Sequence, residues 1–136
     1  MALLAVLEFG DNSTKRYYKQ YLLTDLRLMF NRSYNVIPTG KIRCEGMEIT
    51  VVAPYKNDLS MFEWFLQNST HSGRIVISLT GDSTDSESKA QEIYFEDAKC
   101  ASLSEKYQVD NLRNRQLKVS IVSEKIEMGS VTFKCL

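Results

Sequence analysis

The chain is poor in the residues from which active sites are most often built. Among its 136 residues are one histidine, three cysteines and two prolines, and its 17 basic side chains are balanced by 17 acidic ones. Each scarcity removes a class of function. His71 is flanked by Ser69, Thr70 and Ser72, but neighbours in sequence rarely make a nucleophile–base pair, and neither a Gly-x-Ser-x-Gly elbow nor a second histidine accompanies it. The imidazole therefore reads as a polar group at a helix C-terminus. Cys44, Cys100 and Cys135 include no close pair such as C-x-x-C, so the sequence offers no disulfide framework or metal motif, and the thiols are expected to be reduced and partly buried. Asp82, Asp85 and Glu87 lack the glycine and the terminal bidentate glutamate of a calcium loop. No glycine-rich phosphate loop is present, and no cofactor is expected.

Charge of one sign is missing too. A formal net charge of zero gives no bulk attraction to nucleic acid or to an acidic membrane, and it favours association between copies. The stretch Lys15 to Tyr21 interleaves basic and aromatic residues as a single-strand nucleic-acid platform does. With the chain neutral, it reads instead as a strand with tyrosines at an interface, so neither nucleic acid nor membrane is an expected partner. Long hydrophobic runs are also absent. The opening Ala2 to Leu7 stops at Glu8 and has no basic residues before it, which is too short for a signal-peptide core or a membrane span. It is expected to be a first strand of a protein made and folded in the cytoplasm.

What remains has the composition of an ordinary globular protein, 43% apolar and 25% charged, and residues 1–136 are expected to form one domain. The chain turns on Leu59 to Leu79, where a short amphipathic helix hands over to a strand. Leu59, Phe62, Phe65 and Leu66 recur at helical spacing, so these residues, with Trp64, are the expected anchors of the helix on a sheet. Ser60 and Glu63 have the spacing of a capping box, with Asn57 or Asp58 as alternative caps, and Leu59 with Trp64 that of a hydrophobic staple. Gly73 is expected to end the helix in a left-handed conformation. After it, Ile75, Ile77 and Leu79 alternate with Arg74, Val76 and Ser78, the period of a half-buried strand.

The other segments read as strands. In Tyr17 to Phe30, Leu22, Leu26, Leu28 and Phe30 share one parity, while Tyr17, Tyr21 and Met29 share the other with Lys19, Asp25 and Arg27. Apolar groups on both faces imply that something covers the outer one. Asn31 to Lys41 has no period and reads as a long loop, oddly apolar at Val36 and Ile37 and so a contact element. Ile42 to Ala53 is a strand closed by Pro54, and Gly81 to Lys89 a polar, exposed hairpin tip. The apolar parity switches between Phe95 and Ala98, which predicts a bulge at Glu96-Asp97. A polar connection over Val109 to Asn114, a strand through Leu117, Val119 and Ile121, and a closing pair across Gly129 complete the chain. The expected fold is mainly β, an antiparallel β-barrel of about seven to eight strands with one short flanking α-helix.

Phe62-Glu63-Trp64-Phe65, then Ser72-Gly73-Arg74-Ile75-Val76-Ile77, then Tyr94-Phe95-Glu96-Asp97-Ala98-Lys99-Cys100 resemble, in that order, the Hcp (TssD) tube protein of type VI secretion systems, in its Bacteroidetes-like variant. Ala2 to Glu8 resembles the family's first strand and Leu117 to Met128 its closing strands, so the resemblance runs through nearly the whole chain. It implies an Hcp-like barrel that forms hexameric rings. The rings stack into an inner tube that carries effectors inside a contractile sheath, behind a spike, and the tube leaves the cell without a signal peptide. By position, the loop that contacts the next ring corresponds to Val36, Ile37, Pro38 and Gly40, although the chain reads Gly40-Lys41-Ile42 where the family has Gly-Arg-Pro. The lateral subunit interface is expected at Tyr17, Tyr21 and Met29, and no catalytic activity is implied. A phage-like tail-tube protein shares the fold and assembly, and a monomeric barrel holding a small apolar ligand is the other alternative.

Overall fold

The computed structural model describes residues 2–34, 38–52, 58–80, 89–108 and 111–134. Eight strands and one helix follow in the order β1 (Ala2–Asp11), β2 (Arg16–Tyr34), β3 (Pro38–Val52), α1 (Ser60–Gln67), β4 (His71–Thr80), β5 (Lys89–Gln108), β6 (Asn111–Val122), β7 (Lys125–Met128) and β8 (Val131–Lys134). All pairings are antiparallel. Their order is β4-β1-β2-β3-β6-β5-β7-β8, and β4 also pairs with β5. The ladder therefore returns to its start through six strands, and β7 and β8 extend it from β5. Closing the sheet on itself removes the exposed edges that an open sheet of these strands would leave.

Side chains of alternate residues fill the interior. Leu7, Met47, Ile49, Val51, Ile75, Ile93, Phe95, Leu117, Val119 and Ile121 are all buried there. Each such aliphatic or aromatic group contributes roughly 1.5–3 kcal/mol by leaving water. The helix enters this core from one end, where Phe9 at the close of β1 and Tyr21 near the start of β2 lie. Trp64 meets Phe9 edge-on at 5.3 Å between ring centroids, and its Nε1 donates to the Ser69 carbonyl at 2.9 Å. An eight-residue helix is too short to persist alone, so this docking holds it.

Bulges decide which side chains face inward, and three of them bear on the expected facing. At the first, Phe9 pairs with Lys19 and Gly10 with Tyr17, so Tyr18 is the extra residue. At the second, Leu23 pairs with Val51 and Asp25 with Thr50, leaving Thr24 unopposed. Each insertion flips the parity of the rest of the strand. Tyr21 and Leu23 thus point inward before Thr24, and Leu26 and Leu28 pack on the core after it. Leu22, expected to share a face with Leu26 and Leu28, stands outside and exposed. The third bulge is the one expected at Glu96-Asp97. His71 pairs with Ala98 and Gly73 with Phe95, and Asp97 has a positive φ of 52°.

Several boundaries differ from the sequence-based expectation. Asn31 to Lys41 is not a loop, because β2 runs to Tyr34 and β3 begins at Pro38, with Asn31 opposite Arg43 and Tyr34 opposite Pro38. The backbone pairing of this arm does not depend on an apolar period. Val36 and Ile37 lie outside the described residues; Pro38 and Gly40 open β3. The polar stretch to Asn114 is likewise strand from Asn111, which pairs with Gln108. The expected tip over Gly81 to Lys89 also falls almost wholly outside the described residues, as does Pro54.

Gly73 does not end the helix. Asn68 does, in a left-handed conformation with φ 51° and ψ 36° that asparagine tolerates. Gly73 lies inside β4 because a Cβ there would sit 2.1 Å from the Glu8 carbonyl oxygen of the adjacent strand. The capping box is not formed either. Leu59 is the N-cap and makes no side-chain bond, while the Ser60 hydroxyl turns away to Asp58.

Candidate functional site

The helix has two apolar sides. Met61 and Trp64, one turn apart, are buried, and Phe62 packs partly against the core. The other expected anchors face out: Leu66 is 79% exposed, and Leu59 and Phe65 are also exposed. The apolar stripe legible in the sequence is thus mostly the outward one. Met61, three residues before Trp64, was the missed signal for the inner face.

Asp58 fixes the start of the helix to the barrel. Its Oδ1 accepts from the Ser60 amide at 3.0 Å, from the Ser60 hydroxyl at 2.6 Å and from Lys19 Nζ at 3.0 Å, while Oδ2 accepts from the Tyr21 hydroxyl at 3.3 Å. Lys19 Nζ also donates to the Ser60 hydroxyl. Burial alone would raise the Asp58 pKa, but the Ser60 donors and the Lys19 ammonium outweigh it and hold the carboxyl at about 2. Tyr21 is 3% exposed, so this residue, expected at a lateral interface, belongs to the core instead. The bulge at Tyr18 sets Lys19 and Tyr21 inward and Tyr17 outward.

Beside this network a cavity of about 340 Å³ opens between helix and β2, lined among others by Tyr18, Lys19, Trp64, Gln67 and His71. His71 packs against the rings of Phe9 and Trp64 at 5.6 and 5.4 Å. Burial lowers its pKa, which leaves the imidazole neutral at pH 7. Ser69 Oγ is 3.5 Å from His71 Nε2, the limit of a hydrogen bond. The geometry is that of an imidazole packed under a tryptophan rather than of a base aimed at a nucleophile. Cys100 is buried, and its thiol is pushed up to about 11 by loss of water, so little thiolate is present at neutral pH. Among the described residues, no group of three or more His, Cys, Asp and Glu lies together as a metal site.

The outer wall of β1, β2, β4 and β5 carries two cross-strand rows. The first is polar. Glu8 stands opposite both Gln20 and Arg74, and Arg74 opposite Tyr94. Gln20 Nε2 donates to Glu8 at 3.2 Å, and Arg74 lies 3.3 Å from the Glu8 carboxylate and 3.7 Å from that of Glu92. The second row is apolar. Val6 stands opposite Leu22 on one side and Val76 on the other. Leu22 is 45% exposed and Val76 only 7%, and Leu4 is an exposed neighbour two residues along β1. Tyr17 and Met29, expected at the lateral interface, are half-buried.

A closed antiparallel barrel with a helix docked at one end, whose distinctive surfaces are apolar stripes rather than a cluster of reactive groups, defines a structural building block. A family model described as hemolysin coregulated protein Hcp (TssD) matches residues 1–135, and the chain belongs to that family. It is thereby a structural tube subunit of a type VI secretion system. Solved structures agree in fold. Hcp1 from Flavobacterium johnsoniae superposes with a TM-score of 0.69 at 18% identity over 96% of this chain and 98% of that one. This likeness is consistent with the Bacteroidetes-like variant. Hcp1 from Salmonella typhimurium gives 0.69 at 11% identity over 97% and 93% of the two chains. The secreted protein Hcp3 from Pseudomonas aeruginosa gives 0.65 at 13% identity over 99% of each. No curated protein sequence matches the chain. No helix among the described residues is long and apolar enough to cross a membrane.

Proposed function

We propose that residues 1–136 act as one domain that assembles into hexameric rings, and that the rings stack into a tube carrying effectors within a contractile sheath. The observation that carries this reading is the family match over residues 1–135, supported by a closed barrel with apolar groups left on its outside. The subunit contributes contact surface and no catalysis. His71 is neutral and packed between rings, and the Cys100 thiol is held protonated by burial. Packing of Leu7, Ile75, Phe95 and Val119 inside the barrel favours a structural role over a small-ligand carrier, because their side chains take up the space a ligand would use. Stacking between rings is assigned to Val36, Ile37, Pro38 and Gly40, and Tyr17 and Met29 remain candidates for contact between neighbours in a ring. Export is by the type VI apparatus itself, with sheath, spike and effector proteins as partners.

Light scattering on the purified protein tests the assembly. The expected mass is about six times the 15.6 kDa of one chain. A strict monomer at high micromolar concentration contradicts it.

A further inference from the structure

The cavity between α1 and β2 lies at the helix end of the barrel, outside the packed interior, and buried rings form its floor. Phe9, Tyr21 and Trp64 are each no more than 6% exposed. They meet at steep angles rather than in a stack: Phe9 lies at 81° to Trp64 and 78° to Tyr21, and Trp64 at 78° to His71. Rings set this way make a corner, which a guest touches from more than one side. The rim is polar and exposed. Glu63 and Gln67 line it from the helix, four residues apart and so on one side of α1, while Tyr18, the extra residue of the first β2 bulge, lines it from the strand.

The charges around this opening do not cancel. Lys19 Nζ is held by Asp58 at 3.0 Å and donates to the Ser60 hydroxyl, so its charge is already answered. Glu63 has no ion pair among the described residues, and the neutral His71 adds no positive charge at pH 7. An unpaired carboxylate above aromatic walls attracts cations and repels anions. We propose that this cavity binds a small organic cation with a planar guanidinium or amidinium head, which lies against the rings and donates N–H groups to the Glu63 carboxylate and the Gln67 side-chain oxygen. Two acceptors one helical turn apart suit a fork of N–H donors better than the single point charge of an ammonium. A delocalised cation is also weakly hydrated and stacks on aromatic rings. The size agrees, since about 340 Å³ falls within the range of small-molecule sites. The site is complete within one chain, so it stands apart from the ring assembly, and either reading can fail without the other.

Trp64, the chain's one tryptophan, lines the cavity, so its fluorescence reports occupancy directly. The probe is benzamidine, titrated into the full-length protein at constant ionic strength, with benzamide as its uncharged counterpart and benzoate as its anionic one. Benzamidine is expected to shift the emission saturably, with a Kd on the order of 1 mM for a ligand of this size. Benzamide and benzoate are expected to bind at least about tenfold more weakly. Glu63→Gln, at an exposed position, is expected to weaken benzamidine by about tenfold and Gln67→Leu by a smaller factor, with far-ultraviolet circular dichroism confirming an unchanged fold in both. Arginine blocked at both ends identifies the source of the head group. Binding as tight as that of benzamidine assigns the site to an arginine side chain of a polypeptide, and much weaker binding assigns it to a free small molecule. The proposal is overturned by equal binding of benzamidine, benzamide and benzoate, by unchanged benzamidine affinity in Glu63→Gln, or by the absence of any saturable shift.

Discussion

Arg74 of β4 lies over the ring of Tyr17 of β2, its guanidinium carbon 4.3 Å from the ring centroid, with β1 and its Glu8 between the two strands. The contact is possible only because the Tyr18 bulge turns Tyr17 to the outer wall, and it locks that wall across three strands. Cation–π contacts contribute about 0.5–1 kcal/mol at exposed sites and more when desolvated. This stiffened wall carries the apolar row of Leu22, Val6 and Val76.

The helix is held by its inner face. Trp64 is 2% exposed, meets Phe9 edge-on and donates to the Ser69 carbonyl, so Trp64→Ala is expected to cost about 3–5 kcal/mol. Leu66→Ala, on the outer stripe, is expected to change monomer stability by less than about 0.5 kcal/mol. Urea unfolding under conditions that keep the protein monomeric checks both, and comparable losses from the two variants would contradict the orientation of the helix.

Gly73 is required by backbone proximity rather than by left-handed dihedrals. Its missing Cβ would sit 2.1 Å from the Glu8 carbonyl oxygen, so Gly73→Ala is expected to push β4 from β1 and cost about 2 kcal/mol or more. Hydrogen exchange should then quicken along the β1–β4 ladder first, and an unaltered ladder would contradict the close approach.

Asp58 makes the helix attachment sensitive to acid. Its folded pKa of about 2 lies below the ordinary value of 3.8, so the unfolded chain binds the proton more readily. The contribution is therefore complete above about pH 5 and is lost as pH falls through 3.8 towards 2. Asp58→Asn is expected to flatten the stability profile across that window, as read by thermal unfolding at a series of pH values. An equally steep profile in the variant would contradict the role of the Lys19–Asp58–Ser60 network.

For stacking, replacing Val36 and Ile37 together by aspartate is expected to leave ring mass unchanged while shortening or abolishing tubes in electron micrographs. Tubes of normal length would remove the stacking role of this segment.

Element identity was written in local pattern, and facing was not. Alternation through Met47, Ile49 and Val51, or through Leu117, Val119 and Ile121, survives in the structure because β3 and β6 are regular where they carry the core. In β2 the extra residues Tyr18 and Thr24 each invert the parity, so a straight reading put Leu22 inside and Tyr21 outside, opposite to their positions. The bulge at Glu96-Asp97 was legible because buried residues flank it on both sides, Ile93 and Phe95 before and Ala98 and Cys100 after. The helix misled for another reason. It is apolar on two sides, and the wider stripe of Leu59, Phe65 and Leu66 is the one left outside. Asp58, placed where a cap was expected, accepts the Ser60 amide and also gathers Lys19 and Tyr21 from β2, 37 and more residues away, and no local pattern encodes that long-range contact.

Electron micrographs of the purified, unmodified chain test the central claim most directly. The account predicts ring-shaped particles with six-fold symmetry in end view, some of them stacked. Fields of single barrels at concentrations where a tube protein should be assembled would contradict it.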